Sequence, residues 1–491
     1  MSRGGLARRA AVVLIALVLV LVLSCQQGHR PDTAAVPIGP SSGAVGVSYT
    51  FSSSAEDHDG DDVAIRFDWG DGDTSDWSDW VRPGDTVAMT HAWTAPGTLN
   101  IKAQAKARNI TIADWSAGRS LPLYYEWVRT FGGPGEDSAS SVRQTSDGGY
   151  IVTGCTDSTG WCPRLTVTKV GANGDLLWSR VYGNGTDGWG RSVLQTHDGG
   201  YLVVGCQWLH SGHSGDVWLI RTDADGNIVW EKTYGGSGWD EACSAEQTRD
   251  GGYIVTGFFS TSGGSIPVWL LKTDANGDLE WERTFGRGWC EGRSVQQTRD
   301  GGYVVAAIPD ENSVGAVWLI KTDADGNATW TRTFGDVPVY CAGMSVLQTD
   351  DGGYAACGTL LHGKHGANDA LLVRTDSTGQ ALWMKSYGGE RDDWANAVAE
   401  TPDGGFIIAG NTASYSRFGD HDAWLIKTDA DGDTLWTRTY GWMHNDMGYS
   451  VQLASDGGYV FAGRTWSEPL YSQVLLTKTD AEGRVDAGGG K

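Results

Sequence analysis

The sequence predicts an all-β protein whose larger part is a seven-bladed β-propeller with four-stranded blades. Three observations carry this. Asp-Gly-Gly followed by an aromatic residue occurs seven times, beginning at Asp147, Asp198, Asp250, Asp300, Asp351, Asp403 and Asp456. A second landmark keeps the same period, at Trp127, Trp178, Trp230, Trp281, Trp330, Trp383 and Trp436. No stretch of the mature chain sustains a 3.6-residue apolar period. A period near 50 residues falls in the range of propeller blades and is too long for most solenoids.

Each repeat reads as four strands. In the third, Ser244 to Thr248 is the first strand and Arg249-Asp250-Gly251-Gly252 is a hairpin turn, with glycine supplying positive φ. Tyr253 to Gly257 is the second strand, and a variable loop follows. Val268 to Thr273 is the third, Asp274-Ala275-Asn276-Gly277-Asp278 a second hairpin turn, and Leu279 to Phe285 the fourth. Four antiparallel strands repeated radially make a propeller. The final repeat lacks its Trp strand, and a spare copy, Glu126-Trp127-Val128-Arg129-Thr130-Phe131-Gly132, stands at the front. The N-terminal strand is therefore expected to complete the last blade, removing two open edges. Residues 126–486 resemble the tandem Asp-Gly-Gly-Tyr propellers of bacterial and archaeal envelope proteins, a family whose resemblance carries no established activity. Asp376 to Trp383 resembles the tryptophan-docking repeat of quinoprotein-like propellers, which implies that the seven strand-four tryptophans pack blade to blade.

Residues 1–25 read as an export signal. Arg3, Arg8 and Arg9 precede an apolar run from Ala10 to Leu23, too short for a comfortable membrane span. Val22-Leu23-Ser24-Cys25 resembles the bacterial lipobox, which implies a lipid on Cys25, a membrane held through that lipid alone, and an envelope location at the outer membrane or cell surface. Residues 26–37 read as a polar tether. Residues 38–121 hold Phe67-Asp68-Trp69-Gly70-Asp71-Gly72, His91-Ala92-Trp93 and an alternating strand from Leu99 to Ala107. This resembles the PKD-like immunoglobulin sandwich of surface proteins, which implies a spacer or adhesive module. Within it, Asp57, Asp59 and Asp61 alternate around Gly60, a pattern that can wrap oxygens around calcium, the one cofactor the sequence suggests.

The net charge of −23 argues against nucleic acid as partner. Of eight cysteines, Cys155 and Cys162 share one predicted loop and are the best disulfide pair; Cys290 and Cys341 are a weaker one. No phosphate-binding glycine loop, nucleophile elbow or HExxH pattern occurs. The Asp-x-Asp-Gly turns read as hairpin chemistry, with a calcium reading as the alternative.

The two turns within each repeat are short and uniform and share one rim. The other connections vary and share the opposite rim, where binding residues concentrate. Those connections are rich in aromatic and acidic groups: Trp189, Trp239, Trp289, Tyr340, Trp394 and Trp442, with Glu241, Glu291 and Asp393 beside them. Aromatic faces next to carboxylates suit a sugar ring, and equally a protein partner. The reading is a non-catalytic surface lipoprotein that binds carbohydrate or an envelope or extracellular protein. A polysaccharide-acting enzyme and an envelope-assembly scaffold are the alternatives.

Overall fold

The computed structural model describes residues 30–485, except 41–42, 109–111, 125, 158–163, 184–186, 209–214, 262, 310–316, 336–342, 362–366, 417, 442–443 and 469–470. Cys25, Cys162, Tyr340, Cys341 and Trp442 lie outside the described residues. The chain divides into two compact units, 1–125 and 126–491. All named elements are strands, and no described helix is long and apolar enough to cross a membrane.

In the first unit, Gly43–Ala44, Arg119–Tyr124, Gly97–Ala107 and Val63–Asp68 form one sheet, and Ser48–Ser53 pairs with Val87–Ala92. The alternating strand buries Ile101, Ala103 and Ala105 against Phe51, Phe67, Trp69 and Trp93. Trp69 lies flat between Phe67 (centroids 5.2 Å apart) and His91 (4.9 Å). The turn after it requires glycine: Gly70 has φ +79°, and a Cβ there would lie 2.8 Å from the Asn100 nitrogen.

Among the described residues the second unit forms seven consecutive four-stranded antiparallel sheets, a propeller-like array numbered here 1 to 7 in the order of their Asp-Gly-Gly turns. Sheet 3 is typical, with strands Glu241–Gln247, Tyr253–Phe258, Val268–Thr273 and Leu279–Phe285. The outermost strand of sheet 7 is Trp127–Phe131, paired antiparallel with Tyr471–Thr479. The first strand of sheet 3 begins at Glu241, earlier than the Ser244 the sequence suggests. A β-bulge absorbs the extra residue, as between Ala242 and Ser244.

Neighbouring sheets are stitched by side chains. Ser244 Oγ accepts from the Val295 N–H of sheet 4 at 3.3 Å, and Ser294 Oγ from Val346 N–H of sheet 5 at 3.2 Å. The same bond links sheets 7 and 1, where Val142 N–H donates to Ser450 Oγ at 3.2 Å across 308 residues. Each first strand is an edge, so these bonds satisfy donors that would otherwise be orphaned.

The Asp-Gly-Gly motif has a physical cause at every position. Asp250 Oδ1 accepts from the Thr248 hydroxyl and from Gly252 N–H at 3.0 Å, and Oδ2 meets the Lys272 ammonium at 3.0 Å. Gly251 has φ +87°, and a Cβ on Gly252 would lie 2.2 Å from the Thr273 carbonyl oxygen. An equivalent pair occurs in every sheet, from Lys169–Asp147 to Lys478–Asp456. The cation is always nearly buried while most of the aspartates stay half-exposed, so the aspartate lets a buried amine or guanidinium avoid an uncompensated charge.

The strand-four tryptophans dock on the next sheet. Trp281 meets Tyr303 at a tilt, centroids 5.8 Å apart, and a Cβ on Gly326 of the next turn would lie 2.6 Å from its ring. Trp127 does the same from sheet 7 to Tyr150 and Gly174 of sheet 1. This accounts for the aromatic residue after Asp-Gly-Gly and for the glycine of the second turn.

Candidate functional site

Opposite the uniform turns, three tryptophans of sheets 2 to 4 converge. Trp189 opens the first strand of sheet 2, Trp239 precedes that of sheet 3, and Trp289 precedes that of sheet 4. With Phe258 and Ile266 they wall a pocket of about 320 Å³. Trp239 is 43% exposed and Trp289 59%, so indole faces are open to a ligand. Trp189, Trp239 and Trp208 pack together with centroids 4.9 to 6.4 Å apart, which fixes the wall.

Two carboxylates anchor the aromatic rings. Trp189 Nε1–H donates to Glu241 Oε1 at 3.0 Å, and Trp289 Nε1–H to Glu291 Oε1 at 2.8 Å. Each carboxylate also accepts from an arginine, Glu241 from Arg191 and Glu291 from Arg293. The Arg191 guanidinium lies 4.8 Å from the Trp189 ring centroid, a cation–π contact. Burial works to lower the Arg191 pKa, but the adjacent Glu241 charge and hydrogen bond raise it overall, so this arginine stays charged. Five of the candidates named from sequence thus share one pocket: Trp189, Trp239, Trp289, Glu241 and Glu291.

The structure places the other candidates elsewhere. Asp393 is fully buried and serves its own loop: it accepts from Gly389 N–H at 2.8 Å, from the Ser414 hydroxyl at 2.7 Å and from the Thr412 hydroxyl. It is a loop clamp and offers no face to a ligand. Trp394 packs against His421 at 4.9 Å, outside the pocket. Cys155 is a free thiol whose pKa burial pushes up to about 11; its expected partner Cys162 lies outside the described residues.

The Asp57 loop is organised from within, Asp57 Oδ1 accepting from Asp59 and Asp61 N–H at 3.0 and 3.1 Å. Asp57, Asp59 and Asp61 do not converge as a ligand set. Among the described residues the group that does is Asp71, Asp73 and His91, whose ligand atoms lie within 4.8 Å of one another. His91 Nε2 is 2.8 Å from Asp71 Oδ2, so these residues could hold a cation.

The bulges were the feature missed from sequence. Each first strand carries one, and the bulged residue of every sheet lines a central cavity of about 600 Å³. In sheets 2 and 4 it is Arg191 and Arg293; in the others it is Ser140, Cys243, Met344, Asn396 and Tyr449. The next residue is serine in six sheets and Ala397 in sheet 6. Chemistry therefore varies at the bulge and is held constant beside it. Burial pushes the Cys243 thiol up to about 12, so it stays protonated at neutral pH. The signal was present in the aligned repeats as a varying residue before a repeated serine.

Residues 33–109 match the family model of the PKD domain. No curated protein matches the chain. Among solved structures, the PKD domain of an M14-like peptidase from Thermoplasmatales archaeon SCGC AB-540-F20 is 26% identical, covering 20% of this chain and 97% of that one, with a TM-score of 0.19. The extracellular domain of a hybrid two-component system from B. thetaiotaomicron is 11% identical over 79% of this chain and 46% of that one, TM-score 0.45, so this chain spans about half its length. The β-propeller domain of the Trilobed protease from Pyrococcus furiosus is 12% identical over 73% and 95%, TM-score 0.39. The N-terminal unit thus contains a PKD domain, and the C-terminal unit is a propeller-like array of four-stranded sheets.

Proposed function

We propose that this chain is an exported envelope lipoprotein, anchored through Cys25, that binds carbohydrate without catalysis through the variable face of a closed seven-bladed propeller. The observation that carries the reading is the pocket of Trp189, Trp239 and Trp289. Indole faces offer a stacking surface for the apolar face of a pyranose, and rings fixed by Glu241 and Glu291 are pre-organised, which lowers the entropy lost on binding. Closure is supported by Trp127–Phe131 completing sheet 7 and by the Val142–Ser450 bond. A binding rather than a hydrolytic role is supported by the two carboxylates, each already engaged by an arginine and an indole N–H instead of facing a scissile bond. The PKD domain and the tether act as spacers.

The test is a glycan-array screen of the full-length protein in mild detergent, calcium supplied. Hits weakened at least tenfold by Trp289→Ala support the reading. A folded protein that binds no glycan overturns it and directs attention to a protein partner, for which the same exposed indoles are suited.

A further inference from the structure

The bulge ring gives that pocket a second, chemically distinct floor. Arg191 and Arg293 border both the tryptophan pocket and the central cavity, so a ligand lying on Trp239 and Trp289 would reach both guanidinium groups. In a chain with 60 acidic and 37 basic residues, the seven bulge positions hold two arginines and no carboxylate. Asn396 and Tyr449 add uncharged hydrogen-bonding groups to the same ring.

Neither arginine is saturated. A guanidinium has five N–H donors in a fixed fork. Arg191 gives Nε–H to Glu241, and its side chain forms no other hydrogen bond among the described residues. Arg293 gives one Nη2–H to Glu291. Its Nε is buried without a hydrogen-bond partner, a costly state for a donor on a charged group. The donors a ligand can reach are the remaining Nη–H groups of the two arginines, and the acceptors that best match a guanidinium edge are planar or tetrahedral oxyanions.

We infer that the ligand is an acidic sugar, its ring on Trp239 and Trp289 and its anionic group on the free N–H donors of Arg191 and Arg293 at the mouth of the central cavity. This rests on the carbohydrate reading above and narrows it. The shared chemistry is an oxyanion on a pyranose, supplied either by a uronic acid carboxylate or by a sulfate ester. Glu241 and Glu291 hold the arginines in place and offset part of their charge, so selectivity arises from the fork at short range rather than from a long-range field.

The experiment compares three series on one array with the full-length protein: uronate oligosaccharides, their carboxyl-reduced neutral counterparts, and sulfated oligosaccharides of the same backbones. The expected result is at least tenfold tighter binding to one acidic series than to the neutral one, and which series binds identifies the anion. Arg293→Gln should erase that preference. Arg293→Lys, which keeps the charge and loses the fork, should retain the fold and part of the preference. Trp289→Ala should weaken every series together. Equal binding to acidic and neutral glycans overturns the inference and leaves the carbohydrate reading standing. An acid preference that survives both Arg293→Gln and Arg191→Gln also overturns it. Binding to no series overturns both.

Discussion

Trp281 and Trp289 stand eight positions apart in the same repeat region and do opposite things. Trp281 projects from the fourth strand of sheet 3 onto Tyr303 and the Gly326 turn of sheet 4. Its counterparts recur in every sheet with the same partners. Trp289 lies on the other side, 59% exposed, held by one hydrogen bond to Glu291. Among the described residues only Trp189, held by Glu241 beside Arg191, has a comparable setting. Across the whole second unit the turn side repeats, with its Asp-Gly-Gly turns, buried cations and docked tryptophans, whereas the loop side and the bulge ring vary. On the proposed function the repeating side accounts for the unit's stability and the varying side for recognition, a division that substitutions can break.

The largest effect should come from the most buried ion pair. Lys478 has no exposed side-chain surface, and Asp456 is only 13% exposed. Asp456→Ala removes an ion-pair partner from this buried ammonium and should destabilise by about 3–5 kcal/mol, read as a lowered urea midpoint. Asp403→Ala, whose carboxylate is 55% exposed beside Lys427, should cost clearly less. Next, Trp281→Ala should cost about 3 kcal/mol by opening a void between sheets 3 and 4, with a matching fall in Tm and no direct loss of ligand affinity. Ser244→Ala removes the acceptor for Val295 N–H and should cost about 1 kcal/mol.

The same turns set an acid limit. Partial burial works to raise the Asp147 and Asp351 pKa values. Hydrogen bonds outweigh it, from Thr145, Lys169 and Gly149 in one case and from Gly353, Thr349 and Arg374 in the other, and bring both to about 2. A carboxyl group depressed on folding contributes its stability above its unfolded value near 4 and loses it as pH falls toward 2. Both side chains are more than half exposed, which limits each contribution. The urea midpoint should therefore be flat from pH 7 to 5 and fall between pH 4 and 2. Asp147→Asn should flatten that fall.

Legibility followed the same division. The strand periods, both turns and the strand-four tryptophans could be read because seven copies repeat the same local constraint. Val268–Thr273 and Leu279–Phe285 begin and end where the pattern places them. Trp189, Trp239, Trp289, Glu241 and Glu291, which line one pocket, could be singled out because aromatic and acidic residues crowd the variable connections. Asp393 was not separable from them, since a carboxylate that caps its own loop looks in sequence like one that faces a ligand. Arg191 and Arg293 escaped because alternation along a strand assigns each residue a face, and a bulge changes that assignment by one residue. The Asp57 loop shows the limit of spacing alone: alternate aspartates satisfied a pattern while one of them closed the turn by accepting its neighbours' N–H groups.

The most direct test of this division is one crossed measurement: glycan affinity and Tm, determined together for wild type, Trp281→Ala and Trp289→Ala. Trp289→Ala should bind at least tenfold more weakly with Tm unchanged within about 1 °C, as for an exposed side chain, while Trp281→Ala should melt several degrees lower and, below its Tm, bind as wild type. Wild-type affinity in Trp289→Ala, or a Tm loss there as large as that of Trp281→Ala, would contradict the assignment of recognition to the variable face.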